Sequence, residues 1–222
     1  MKKLLKSLSV FGLLAVPLYA QTLPLLPAAP VSSPAAQSFH EKFMRYAISA
    51  YGPRAVAAPA FSAALVMIDN PSGYPRAWRD GPGAFERNYG NGLGRRTSKE
   101  TGRFLAGALL HEDFRYRPST SGNPLVRGFH ALAFTFIDKS DSGNNRFAVA
   151  NFAGAEAGGF VGDLWLPPGF NNLSHAETRA AISFGSFAAQ NLYHEFEPDL
   201  RRLSRRLGLP RIPVSDWWVK RN

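Results

Sequence analysis

The stretch "AVANFAGAEAGGFVGDLWLPP", residues 148–168, places Gly154, Gly158 and Gly162 four apart within a run of small and apolar residues. Residues four apart share one face of a helix, so this spacing predicts a helix with a shallow stripe that another backbone can approach closely. Glycine inside a helix costs about 1 kcal/mol relative to alanine, and the four glycines at 154, 158, 159 and 162 weaken it by on the order of 4 kcal/mol. Close packing must offset that loss. The same period recurs at Gly90, Gly94, Ser98, Gly102 and Ala106, and again at Ala181, Gly185 and Ala189. Three striped helices predict a mainly α fold: a single-domain helical bundle with Gly/Ala helix interfaces and one short β-hairpin. The stripes suit either a tightly crossed soluble bundle or a glycine zipper used in self-association or at a membrane.

Helix starts support the same class. Ser38 with Glu41 forms a capping box ahead of Phe39, Phe43, Tyr46, Ala47 and Ala50, which lie along one helical face. A second, small-residue helix follows from Pro53 and stops by Asn70, since Pro71 disfavours helical geometry before it; Pro59 is a kink point. Residues 70–81 are loop by their Gly and Pro content. Gly81–Pro82 opens a long helix reaching about Leu110, and Asn123–Pro124 opens another. The turn cluster "DKSDSGNNR" separates the two arms of the hairpin. Ser174 and Glu177 form a second capping box leading the last long helix, which Pro198 interrupts or kinks.

With 222 residues and 45% apolar content, the chain is long enough for one domain with a substantial core. Lys2, Lys3 and Lys6 precede an apolar run from Leu8 to Leu18, and Ala20 ends a cleavage-like site, the pattern of a secretory signal over residues 1–20. That apolar run is far shorter than the ~20 residues a spanning helix needs. Residues 21–37, with Pro24, Pro27 and Pro30 three apart, read as an extended linker; residues 38–209 form the helical domain and 210–222 a basic, aromatic tail. Cysteine is absent, which excludes disulfides, thiol nucleophiles and thiolate metal sites. The formal charge is +10; loss of residues 1–20 removes three lysines and no acids, leaving 23 basic against 16 acidic residues. For an exported chain in the periplasm or at the outer membrane, the partners of such a charge are an anionic membrane surface or envelope polymer rather than nucleic acid.

Chemistry, if any, concentrates in two boxes: "LLHEDFRYRP", residues 109–118, and "LYHEFEPDL", residues 192–200. The order of the glycine-rich helix at 81–94, the first box, the turn and helix at 138–160 and the second box resembles a family of exported proteins of unknown function found mainly in soil-dwelling acidobacteria. The resemblance covers about residues 81–203. Leu110, His111, Asp113, Arg115 and Tyr116 match its first box; Glu195, Phe196, Pro198 and Asp199 match its last, and His194 departs from it. The resemblance implies a secreted, largely helical protein and carries no activity.

His111, Asp113, His194 and Glu195 are chemically suited to a zinc or iron site, but neither His-Glu pair has a second histidine four residues on, as a zincin helix requires. We therefore expect no metal and no cofactor. No Gly-x-Ser-x-Gly elbow follows a strand; Ser186 in "FGSFAA" lies mid-helix. Acid pairs such as Glu112 with Asp113 or Glu195 with Glu197 would do glycosidase work only across a cleft. The turn at 138–145 lacks the terminal glutamate of a calcium loop. His111, Asp113, Arg115, Tyr116, Glu195 and Asp199 instead read as a structural clasp between the two boxes. His111, Asp113 and Glu195 remain the residues of the alternative reading, an envelope hydrolase or metalloenzyme.

The C-terminal region is amphipathic. Leu200, Leu203 and Leu207 form a stripe flanked by Arg201, Arg202, Arg205 and Arg206, and Trp217 and Trp218 sit beside Lys220 and Arg221, a combination suited to an anionic bilayer interface. The functional expectation is an exported, non-enzymatic cell-envelope protein with a structural or interaction role, membrane-associated through glycine-stripe helices and this basic end, and able to self-associate through Gly90, Gly94, Gly102, Gly154, Gly158, Gly162 and Gly185.

Overall fold

The computed structural model describes residues 36–69 and 73–208. The expected signal, nearly all of the linker, and the tail with Trp217 and Trp218 lie outside the described residues. The chain is mainly helical: α1 (Phe39–Tyr51), α2 (Pro53–Asp69), α3 (Arg76–Arg79), α4 (Pro82–Leu109), β1 (Glu112–Asp113), α5 (Pro124–Ala133), β2 (Ile137–Ser140), β3 (Asn145–Phe147), α6 (Val149–Phe160) and α7 (Leu173–Arg206), with a 3₁₀ turn at Val161–Leu164 closing α6.

The fold is organised by α6, which packs α4 on one side and α7 on the other. Its small residues make both contacts possible. A β-carbon at Gly154 would lie 2.7 Å from the Lys99 carbonyl oxygen of α4, and one at Gly158 would lie 2.8 Å from Lys99 Cβ. From the facing helix, a β-carbon at Gly102 would meet the Ala153 carbonyl oxygen at 2.8 Å. On the opposite side of α6, Gly159 would meet Ala180 Cβ at 2.6 Å and the Ala176 carbonyl oxygen at 2.7 Å. Backbone therefore meets backbone at both interfaces. This is the close approach that repays the helical cost of glycine.

The third stripe is not an interface. Ala181, Gly185 and Ala189 are exposed, and a β-carbon at Gly185 would meet nothing within 4 Å. The buried face of α7 runs instead through Ala176, Ala180, Ser183, Phe187, Asn191 and Glu195. Gly90 is likewise open, while Gly94 packs on the Trp165 ring and Gly162 on Leu166 and the Arg179 side chain. Gly92, between two striped positions, takes Pro59 of α2 against it at 3.1 Å. The packed glycines are thus those with another part of the chain against them, whatever their spacing.

The ends of the helices follow local chemistry. Ser38 and Glu41 form the reciprocal capping box at α1, and Asn123 accepts from Leu125 N at the start of α5. Gly81 occupies the left-handed region, φ 77°, immediately before Pro82. α7 starts two residues earlier than the Ser174 box implies, because the Asn172 side chain accepts from His175 N and caps it; it then runs unbroken through Pro198. The loop expected around residues 70–81 holds the short α3, whose Trp78 is buried. The hairpin forms in antiparallel register, Ile137 opposite Phe147 and Lys139 opposite Asn145. Its neighbour β1 adds a third strand, with Asp113 opposite Lys139.

Candidate functional site

The first box stands where α4 ends. The helix closes at Leu109, and His111 adopts φ 56°, the left-handed conformation that ends helices at this position, more often on glycine. The turn directs Glu112 and Asp113 inward as β1 and leaves His111 outward. Its side chain is 80% exposed, with Nδ1 3.6 Å from Asp141 Oδ2. His111 is thus neither a carbonyl-capping group inside the bundle nor part of a pocket.

Glu112 and Asp113 are each 1% exposed and serve different neighbours. α6 begins at Ala148 with no side-chain cap of its own, and the Glu112 carboxylate fills that place, accepting from Ala150 N at 3.0 Å. An anion at a helix N-terminus is favoured by the free N–H groups and the dipole. Asp113 accepts from Arg115 Nε at 2.8 Å and from Arg117 at 3.1 Å, and also from Arg115 N. Burial opposes its ionisation, but these donors outweigh it and hold the carboxyl below its ordinary range.

The two boxes meet through Tyr116 and Glu195. Tyr116 Oη donates to Glu195 Oε2 at 2.5 Å, Ser119 N donates to the same oxygen at 2.9 Å, and Arg127 Nε donates to Oε1 at 2.8 Å. Arg127 also donates to the Glu195 carbonyl oxygen and reaches Asp199 at 2.7 Å. Glu195 is held ionised by these donors despite burial, and Tyr116 is pushed up, to beyond the normal range, by burial and by donating to that carboxylate. The clasp therefore joins α7 to the segment after β1 and to α5. Arg127 is its central cation. Sequence reading missed it, although Arg127 and His130 lie three apart on α5, and His130 Nε2 lies 3.0 Å from the Arg117 carbonyl oxygen.

Other buried charges were also unseen in the sequence. Arg179 of α7 donates to the carbonyl oxygens of Gly159 and Phe170 and pairs with Asp163, closing the C-terminal end of α6. Lys42 of α1 pairs with Asp141 of the hairpin turn at 2.8 Å. Lys99 reaches Ser186 Oγ at 2.9 Å and Glu100 at 3.3 Å, and burial pulls its ammonium down. Ser186 meanwhile donates to the Ser183 carbonyl oxygen at 2.6 Å, the back-bonding geometry of a mid-helix serine. Asp138 of β2 is 5% exposed and pushed up to about 7 by burial, reinforced by Glu112 and Asp113 and opposed by Arg103.

Chemically, this arrangement locks acids rather than presenting them. Asp113 and Glu195 accept from different partners in different clasps, and His111 stands apart from both. Among the described residues no three His, Asp or Glu side chains gather as a metal set. A polar cavity of about 120 Å³ does open between α1, α4 and α7, lined in part by Arg45, Glu100, Arg103, Tyr116, Asn191 and His194. Of the proposed catalytic residues none lines it. Comparison with known proteins yields no matching family model, no matching curated sequence and no matching solved structure.

Proposed function

We propose that this is an exported cell-envelope protein with a non-enzymatic role, which rests on an anionic membrane surface through the C-terminal part of α7. The observation that carries the reading is the exposure of an apolar stripe beside cations. Leu203 and Leu207 are 52% and 62% exposed, Leu200 is exposed with them, and Arg201, Arg202, Arg205 and Arg206 are all exposed alongside. A helix end with its apolar and basic sides both unburied suits the boundary between head groups and acyl chains. Two of the arginines are paired along the helix, Arg201 with Glu197 and Arg202 with Asp199 at 3.8 Å, but exposed pairs of this kind hold weakly and yield to phosphate head groups.

Export is supported by Lys2, Lys3 and Lys6 before the apolar run and by the cleavage-like "PLYAQT". The resemblance of residues 109–118 and 192–200 to two boxes of an exported family points to the same location. The glycine stripes do not serve the membrane in this reading, since Gly102, Gly154, Gly158 and Gly159 are consumed between the chain's own helices. α2 supplies a second apolar surface, with Phe61 and Ile68 exposed. By length and composition residues 39–69 would suffice to cross a membrane, but α1 and α2 are separate helices broken at Gly52.

Vesicle co-sedimentation of the chain lacking residues 1–20 tests the reading. Binding to vesicles containing phosphatidylglycerol should greatly exceed binding to phosphatidylcholine alone and fall with salt. Each arginine near an anionic surface contributes about 1 kcal/mol, so replacing Arg201, Arg202, Arg205 and Arg206 by glutamine should weaken binding by two orders of magnitude or more. Equal binding to both vesicle types, or an unaffected variant, contradicts it.

A further inference from the structure

We infer that the cavity between α1, α4 and α7 binds a small organic carboxylate, gripped by the guanidinium of Arg103. Arg103 is poorly satisfied for a cation packed inside the bundle. A guanidinium offers five N–H donors, yet this one makes a single long hydrogen bond, to the Phe114 carbonyl oxygen at 3.4 Å, and no ion pair. Its Nε is buried without a partner. The cations that are fully buried are engaged: Lys42 with Asp141, Lys99 with Glu100, and Arg179 with Asp163. An unused planar fork that lines a cavity is complementary to a planar two-oxygen acceptor.

The walls fix the class of ligand further. The Arg103 guanidinium lies over the rings of Phe114 and Phe187, at 4.8 and 4.4 Å, which holds the fork in place before any ligand arrives. Phe104, Phe114 and Tyr46 give the cavity an apolar side for a hydrocarbon body, while Asn191 adds an amide. Glu100 also lines the space and is 7% exposed. It is paired with Lys99 at 3.3 Å, so the planar fork and the aromatic walls, rather than net charge, favour a flat carboxylate with an apolar body over tetrahedral phosphate. The volume of about 120 Å³ exceeds several-fold what one water needs and admits a few-carbon acid.

Calorimetric titration and thermal unfolding of the chain lacking residues 1–20, with sodium acetate and sodium phenylacetate against sodium chloride at equal ionic strength, test the inference. Saturable binding of a carboxylate, with inorganic phosphate weaker, is the expected result. Arg103→Lys keeps the charge but loses the fork and should weaken binding on the order of tenfold or more while the circular dichroism stays helical. Gln190→Trp, at an exposed position on the rim, should block binding without touching the buried residues. No binding beyond the chloride control overturns the site. Phosphate binding more tightly than either acid overturns the carboxylate, and full binding by either variant overturns the place assigned to it.

Discussion

Asp113 and Asp138 lie on adjacent strands and titrate in opposite directions. Asp113 is held below the ordinary aspartate value of 3.8 by Arg115 and Arg117, so the stability it contributes is complete above that value and is lost as pH falls below it. Asp138 is raised to about 7 by burial, and its Oδ2 has no hydrogen-bond partner. Between 3.8 and about 7 the folded chain keeps a proton there that the unfolded chain has released. Stability from this group therefore falls as pH rises through that window and stays low above it. Asp138→Asn should flatten the decline and raise stability at pH 8 by roughly 2–4 kcal/mol, read from urea midpoints across pH; an unchanged slope would remove Asp138 as its source. Asp113→Asn should behave oppositely, costing about 3 kcal/mol at pH 7 by leaving two arginines short of their acceptor. For a domain of this size that is a fall of about 6–12 °C in Tm, measurable by calorimetry.

At the scale of elements, α6 tests the packing account because its glycines are not equivalent to those elsewhere. Gly159→Ala forces a β-carbon onto the backbone of α7 and should destabilise by about 1–3 kcal/mol. Gly185→Ala places the same methyl in open space on a helix and should stabilise by about 0.5–1 kcal/mol. Chemical denaturation of the pair gives opposite signs if the interfaces are as described, and matching signs if they are not. The helical class was legible because capping and periodicity are local: Ser38 with Glu41, Asn123 before Pro124 and Gly81 before Pro82 each mark a real helix start. Which stripe is buried was not legible, since the 181–185–189 series has the same period as its packed counterparts and differs only in having no neighbour. β1 escaped notice because two residues carry no period. The roles of Glu112 and Arg127 depend on partners 38 and 68 residues away, and no spacing rule within the chain announces such pairs.

The whole molecule brings two kinds of surface into one chain. The carboxylate of Glu195 is paired by Arg127 from another element, and that of Asp113 by Arg115 and Arg117 just after it in the chain, so these two clasps fasten the bundle. The arginines from Arg201 to Arg206 are the opposite case, exposed beside exposed leucines at the end of α7. Of the residues read from the sequence as a clasp, Tyr116, Glu195 and Asp199 meet through Arg127 and Asp113 pairs with Arg115, whereas His111 stands outside. Hydrogen exchange of the chain lacking residues 1–20, with and without phosphatidylglycerol vesicles, examines the proposed surface most directly. Slowed exchange at residues 197–208, absent with phosphatidylcholine and abolished by glutamine at the four arginines, is the result expected of a membrane-resting helix end. Unchanged exchange there, or protection confined to other elements, would contradict it.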